Sequence, residues 1–433
     1  MGVEMIKVIT YGTYDLLHYG HLRLLERAKE LGDYLIVGVT ADDFDKKRGK
    51  INVQQSLMER VEAVRATGIA DEIIIEEYEG QKIDDIKRYG VDIFTVGSDW
   101  VGKFDYLNEY CKVVYLPRTE GVSSSEIRAK KRKSRIQVDG KNEICKKFIN
   151  ECSYVNGIEV TDNEADAYYI TSKPEVHFEE IFEYLKNGKH VICESPIAIK
   201  VSDMEKLYTL SDQNHCILMD GIKTAYSTAY NRLLLLIKSG KIGDVLSVDA
   251  TCTSLKDLQQ SYDLDSKWNS ICAWGPTAML PVFQILGTNY RTKSIVTKYA
   301  DKSKCFDAFT KIDFLFDTAT ASVKVGKLAK SEGELIVTGT KGYIYVPSPW
   351  WKTDYFEIRY EEFENNRKYF YQLDGEGIRN QIVAFSKSIE NHKNLSNVSR
   401  KVSLAIVNVI EDFFSGKDVM EIGGENGGNN QII

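Results

Sequence analysis

Thr10-Tyr11-Gly12-Thr13-Tyr14-Asp15-Leu16-Leu17-His18-Tyr19-Gly20-His21 decides how the first third of this chain is read. An apolar run (Ile6, Val8, Ile9) leads into a glycine turn, and the apolar-periodic run Leu22, Leu24, Leu25, Ala28, Leu31 follows the second histidine. The order predicted is strand, turn, helix, with both imidazoles on neighbouring faces at the N-terminal end of the helix. A helix start presents unpaired N–H groups and a partial positive charge, which suits an anion. Two donor side chains added there suit a multiply charged one.

The length of 433 residues is that of two or three domains. Apolar residues make up 43% and charged residues 27%, the balance of a globular protein with ample core. The formal net charge of -7 argues against wholesale binding of nucleic acid. No run approaches the roughly 18 apolar residues of a membrane span, and Met1–Lys7 does not read as a signal peptide. A cytoplasmic protein without membrane insertion is expected. The eight cysteines are scattered without metal-ligand spacing, so they read as reduced core thiols.

Residues 1–130 alternate in pattern. Strands are predicted at Lys7–Tyr11, Tyr34–Thr40, Glu72–Glu76, Ile93–Gly97 and Val113–Leu116, and helices at Leu22–Leu31, Gln55–Thr67, Lys82–Tyr89 and Asp105–Tyr110. This order implies an α/β domain with a doubly wound parallel sheet, whose ligands sit beyond the carboxyl ends of the strands. Ser123-Ser124-Ser125-Glu126 has the Ser-x-x-Glu pattern of a capping box, with Arg118 shortly before it. A capped helix start beside an arginine predicts a second phosphate site.

The His-x-Gly-His element resembles the signature of the cytidylyltransferases in the nucleotidyltransferase superfamily. Gly97-Ser98-Asp99-Trp100-Val101-Gly102-Lys103-Phe104-Asp105 and Tyr115-Leu116-Pro117-Arg118-Thr119-Glu120-Gly121-Val122-Ser123-Ser124 narrow the likeness to the bacterial glycerol-3-phosphate cytidylyltransferases, over residues 5–128. The resemblance implies attack of a glycerol phosphate, or a similar polyol phosphate, on the α-phosphorus of CTP. The product is CDP-glycerol, for cell-wall or capsular polymers. Catalytic roles fall to His18, His21 and Arg118. Contacts to CTP are expected from Gly12, Thr13, Tyr14, His18, His21, Lys50, Asp99, Arg118, Thr119, Ser123 and Ser124, with Mg²⁺ arriving on the nucleotide and no protein metal site. Acceptor contacts are expected from Lys82, Arg48 and Arg60, with Arg48 or Lys47 open for the role next to Lys50. Asp15 is read as a brace of the turn. A second family arginine is Gly68 here.

Lys130-Lys131-Arg132-Lys133-Ser134-Arg135 reads as a solvated helix end, with a basic linker at 131–135. Beyond it, Gly188-Lys189-His190-Val191-Ile192-Cys193-Glu194-Ser195-Pro196, Ser239-Gly240-Lys241-Ile242-Gly243-Asp244 and Gly339-Thr340-Lys341-Gly342 resemble the Gfo/Idh/MocA family of NAD(P)-dependent sugar dehydrogenases. This implies a shortened Rossmann-like domain (136–245), then an α+β domain with an open, largely antiparallel sheet (246–420) and a flexible tail (421–433). Helices are expected near 378–390 and 398–414.

The departures from that family are specific. Its GxGxxG turn is Asp139-Gly140-Lys141-Asn142-Glu143 here, with one glycine. Its catalytic lysine is Ser195, and its downstream aspartate and histidine fall on Leu280 and Thr277 in an ungapped alignment. A serine hydroxyl does not replace an ammonium as proton donor. The expectation is therefore no NAD(P) chemistry and a non-catalytic second part; the alternative is a bifunctional enzyme whose second part is a polyol or sugar oxidoreductase. Both resemblances imply a homodimer or higher homo-oligomer.

Overall fold

Each apolar run singled out between residues 7 and 116 forms a strand in the computed structural model. The structure describes residues 5–41, 55–78, 80–117, 133–140, 142–155, 157–255, 264, 266–371 and 373–423. The chain divides into two units, Met1–Lys131 and Arg132–Ile433.

In the first unit, β1 (Lys7–Gly12), β2 (Tyr34–Thr40), β3 (Glu72–Glu76), β4 (Ile93–Gly97) and β5 (Lys112–Leu116) form a sheet of order β3-β2-β1-β4-β5. All four pairings are parallel. The helices are α1 (Tyr19–Lys29), α2 (Leu57–Arg65) and α3 (Gln81–Tyr89), and the segment Asp105–Glu109 closes as a 3-10 turn. Strand order reverses between β1 and β4, which opens a crevice at their carboxyl ends. Val8, Ile9, Leu35, Ile36, Val37 and Val39 are closed to solvent, as expected for strands covered on both faces. Tyr11 lies opposite Gly38 of β2 in the ladder. A Cβ at Gly38 would stand 2.2 Å from the Tyr11 ring, so the missing side chain is the space this ring fills.

The second unit begins with β6 (Ser134–Asp139), α4 (Glu143–Cys152), β7 (Ile158–Val160), β8 (Ala167–Ile170), α5 (His177–Lys186), β9 (His190–Cys193), α6 (Val201–Gln213) and β10 (Leu218–Asp220). These strands form a parallel sheet of order β10-β9-β8-β6-β7. Among the described residues β7 is the outermost strand next to β6, so one half of the doubly wound sheet is short by a strand. That is the truncation expected from the brief segment before Ala167.

After α7 (Thr228–Lys238) comes a mixed sheet: β11 (Val245–Thr253), β12 (Thr292–Asp301), β13 (Phe306–Leu315), β14 (Thr320–Gly326), β15 (Leu335–Gly339), β16 (Tyr343–Val346), β17 (Tyr355–Arg359), β18 (Arg367–Phe370) and β19 (Val419–Glu421). Its order is β18-β17-β16-β15-β11-β14-β13-β12-β19, parallel at β11–β14 and β12–β19 and antiparallel elsewhere. Helix α8 (Ser270–Leu286), apolar on nearly every side, is buried against this sheet; α9 (Ile378–Asn391) and α10 (Arg400–Ser415) follow. Strands β12, β18 and β19 carry no unbroken apolar run in the sequence. Polar residues interrupt the first, and the other two are short edge strands whose pairing comes from distant partners. All eight cysteines are free, six of them buried, and among the described residues no helix is long and apolar enough to cross a membrane.

Two buried carboxyls tie these layers together. Asp307 accepts from Ser270 N–H at 2.8 Å at the start of α8, and Asp220 accepts from the Ser403 hydroxyl at 2.6 Å. Burial pushes each carboxyl up from its ordinary value to about 6.

Two outcomes are expected. Gly38→Ala overpacks the Tyr11 ring and destabilises the first unit by about 1–3 kcal/mol, read as faster amide exchange in peptides spanning β1 and β2. For Asp220 the folded-state pKa is raised, so its stabilising contribution is complete below the unfolded value near 4 and is lost as pH rises through about 6. Asp220→Asn therefore removes a fall in stability between pH 4 and 6, on the order of 3 kcal/mol, measured as the difference between wild-type and variant denaturation midpoints across that range.

Candidate active site

Loop 13–18 leaves the carboxyl end of β1 and delivers His18 and His21 to the start of α1. His18 is the N-cap: its Nδ1 accepts from Gly20 N–H at 3.1 Å, and His21 Nδ1 accepts from His18 N–H at 3.4 Å. This is a reciprocal capping box with imidazoles in place of the usual serine and glutamate. A backbone N–H is always a donor, so both Nδ1 atoms carry lone pairs. In each neutral ring the proton therefore sits on Nε2. The rings stack at 4.0 Å between centroids, 20° from parallel. A Cβ on Gly20 would lie 3.0 Å from His18 Cε1, so the capping ring occupies the space of a side chain between the two histidines.

The loop takes a contorted path. Tyr14 (φ 53°) and Leu16 (φ 45°) are both left-handed, a conformation costing an ordinary residue roughly 1–2 kcal/mol. A two-way clasp holds it: Gln55 N–H donates to Asp15 Oδ1 at 2.9 Å, and Leu16 N–H donates to Gln55 Oε1 at 2.7 Å. Asp15 is thus a brace, as the sequence suggested.

Arg60 and Tyr14 require correction. Arg60 was expected to contact the acceptor, yet it is closed to solvent. Its guanidinium donates to the carbonyls of Thr13 (2.7 Å), Thr40 (2.8 Å) and Gln55 (3.1 Å). It fastens the ends of β1 and β2 to the approach of α2. Tyr14 was expected along the nucleotide, but only 1% of it is exposed. Its ring covers Gly12 and meets His21 edge-on at 5.6 Å, so it supports a histidine from inside. Thr13 is partly accessible and shares a 3.2 Å hydrogen bond with the Thr40 hydroxyl.

Lys82, near the start of α3, is mostly buried and forms an ion pair with Glu76 at the end of β3. Its ammonium lies 4.7 Å from the Tyr11 ring centre and 5.5 Å from that of Phe104. Tyr11 donates to Asp85 at 2.8 Å, and Gln81 Nε2 donates to the same carboxylate at 3.0 Å. Burial raises the Asp85 carboxyl despite these two donors. Sequence reading missed Glu76, Tyr11, Gln81 and Asp85. The available signal was a glutamate ending an apolar strand on the edge where ligands bind. Asp99 is exposed beyond β4 in the turn Ser98–Trp100. Arg48, Lys50, Arg118, Thr119, Ser123 and Ser124 lie outside the described residues.

At the corresponding edge of the second unit, the described residues of the turn after β6 pack against its own side chains. Asn142 caps α4, accepting from Cys145 N–H at 3.0 Å and donating to the Thr171 hydroxyl at 3.1 Å. Gly140 has φ 124°, and a Cβ there would stand 2.8 Å from Thr171 Oγ1. Leu280 is buried on α8, and the Ser195 hydroxyl is shielded from solvent.

Comparison with known proteins agrees with both halves. The cytidylyltransferase-like family model matches residues 9–130, and the model of the oxidoreductase family with an NAD-binding Rossmann fold matches residues 131–222. The glycerol-3-phosphate cytidylyltransferase of Bacillus spizizenii is 51% identical over 124 residues, covering 29% of this chain and 95% of that protein. The Staphylococcus aureus protein of the same name is 48% identical over 127 residues, covering 29% and 93%. Among solved structures, KijD10, a 3-ketoreductase from Actinomadura kijaniata, has a TM-score of 0.60 at 14% identity, covering 67% of this chain and all of that one. The UDP-N-acetylglucosamine 3-dehydrogenase GnnA from Acidithiobacillus ferrooxidans has a TM-score of 0.55 at 12% identity, covering 66% and 98%. At such identities the likeness is one of fold. Through its first unit this chain belongs to the cytidylyltransferases, a family of nucleotidyltransferases, and it carries an oxidoreductase-type fold behind that unit.

Proposed function

We propose that the first unit transfers the cytidylyl group of CTP to a glycerol phosphate, giving CDP-glycerol and pyrophosphate. The histidine pair carries this reading: two Nε2–H donors are set side by side at a helix start, beyond the carboxyl end of the central strand. The names of the relatives at about half identity supply the substrate class. A phosphate monoester has a second pKa of about 6, so at neutral pH the nucleophile is already largely ionised. Its oxygen bonds to the α-phosphorus as the bond to the bridging oxygen of pyrophosphate breaks. The protein has to position these anions and stabilise charge on the α-phosphoryl oxygens. His18 and His21 donate there. Gly12, Thr13 and Asp99 line the nucleotide, joined by Lys50, Arg118, Thr119, Ser123 and Ser124. Lys82 holds the acceptor phosphate, exchanging its Glu76 partner for it, and Arg48 is a further expected contact of the acceptor. Arg60 and Tyr14 act as positioning residues behind the loop.

Among the described residues no group of three or more His, Cys, Asp or Glu forms a metal cage. Mg²⁺ is proposed to arrive on the triphosphate oxygens, where it would supply charge neutralisation.

We further propose that residues 136–245 and 246–420 form a non-catalytic pair of domains. The residues present do not fit a dinucleotide. The start of α4, where a pyrophosphate would sit, is capped by Asn142, and the one-glycine turn is packed against Thr171. The rival reading, an NAD(P)-dependent polyol or sugar oxidoreductase, is favoured by the family match over residues 131–222.

Pyrophosphate release from CTP with glycerol 3-phosphate is expected from the full chain. His18→Ala or His21→Ala should lower it about a hundredfold, as for loss of an oxyanion donor. Turnover unchanged by either substitution would refute the assignment. Titration with NADH and NADPH, followed by fluorescence and thermal shift, should show no saturable binding; a saturable shift would establish the rival.

A further inference from the structure

Lys147 on α4, Lys223 just beyond β10 and Lys352 just before β17 converge on one carboxylate of the second unit, that of Glu376. Lys223 Nζ stands 2.6 Å from Oε2, while Lys147 and Lys352 stand 3.0 and 3.2 Å from Oε1. Burial alone would raise this carboxyl, but the lysines override it and hold it down at about 2. The backbone that delivers it is strained at Glu376, the one residue of a left-handed run that is not glycine. Gly375, Glu376 and Gly377 are left-handed in succession, at φ 60°, 52° and 89°. The loop is also pressed close: a Cβ on Gly377 would lie 2.3 Å from the Lys223 carbonyl, and one on Gly375 would lie 2.5 Å from Glu151 Oε2.

Glu151 and Arg379 nearby form an ion pair at 2.8 Å, and the lysine cluster sets three ammonium groups against one carboxylate. Among the described residues these three ammonium groups share the one carboxylate of Glu376, and the buried Glu194 also faces Lys223. A carboxylate has two oxygens for three donors, so Lys147 and Lys352 share one of them. A phosphoryl group offers three oxygens and a charge near −2. Lys223 also follows a strand at the carboxyl edge of a parallel sheet, where ligands of such sheets bind.

We infer that Lys147, Lys223 and Lys352 form a binding site for a phosphoryl group, held by Glu376 as an internal stand-in that the ligand displaces. The site goes beyond the cytidylyl transfer assigned to the first unit and does not depend on it. Its ligand is a phosphate monoester or diphosphate, from a polyol phosphate or its nucleotide-linked product.

The test reads the lysines directly. The full chain is treated with a limiting amine-acylating reagent, and peptide mass spectrometry follows Lys147, Lys223 and Lys352. The probes are inorganic phosphate, glycerol 3-phosphate and CDP-glycerol, each against chloride at equal ionic strength. Phosphoryl probes should protect all three lysines, and Glu376→Gln should lower the half-protecting phosphate concentration at least tenfold. Glu376→Gly is the second variant, because glycine suits φ 52° and the fold then does not depend on a strained residue. Both variants should retain wild-type pyrophosphate release from CTP. Whichever organic probe protects at the lowest concentration names the source of the phosphoryl group. If no phosphoryl probe protects beyond chloride in wild type or in either variant, Glu376 is a structural clamp and the site does not exist.

Discussion

A guanidinium buried without acceptors would be untenable, and in the first unit the acceptors of Arg60 are what shape the catalytic edge. Its three carbonyl partners belong to Thr13 after β1, Thr40 at the end of β2 and Gln55 before α2. Moving the first loop would leave a charged donor unsatisfied in the core, at a cost of several kcal/mol. The Asp15–Gln55 clasp adds two further bonds, and together these hold Tyr14 and Leu16 left-handed. In the transfer proposed for this unit, such rigidity has a chemical purpose. Stabilising charge on a phosphoryl oxygen depends on donors already in position, and a loop that must reorganise loses much of that advantage.

The histidines serve the fold with one nitrogen and, in the function proposed, the chemistry with the other. Nδ1 of each closes the start of α1, and this fixes Nε2 as the proton-bearing atom. Gly20 belongs to the same device, because the His18 ring takes the space of a side chain there. The His-x-Gly-His pattern thus has a structural reason that is separate from substrate contact.

The two units place similar edges to different use. Both have a parallel sheet whose strands end on one side. In the first unit that edge presents His18, His21 and the Glu76–Lys82 pair. In the second, Asn142 and Thr171 close the turn after β6, Asp220 is tied to Ser403, and Glu376 covers three lysines. An architecture shared with dehydrogenases carries none of their chemistry by itself.

Much of this could be read along the chain. The period-two and helical apolar runs mark the strands and helices of the first unit, and two histidines three apart at a helix start mark an anion site. Gly140 and Ser195 mark the departures of the second part. What the sequence determines is therefore the set of strands in the first unit and the chemical character of its edge, because both follow from local periodicity and residue type. It does not determine which way a side chain faces. Arg60 and Tyr14 look like ligand contacts in a motif, yet tertiary packing turned both inward. Lys82 acquired a glutamate partner, and Lys147, Lys223 and Lys352 met at Glu376 from elements as many as 229 residues apart. Those decisions rest on burial and on pairing between distant segments, and no local pattern encodes either.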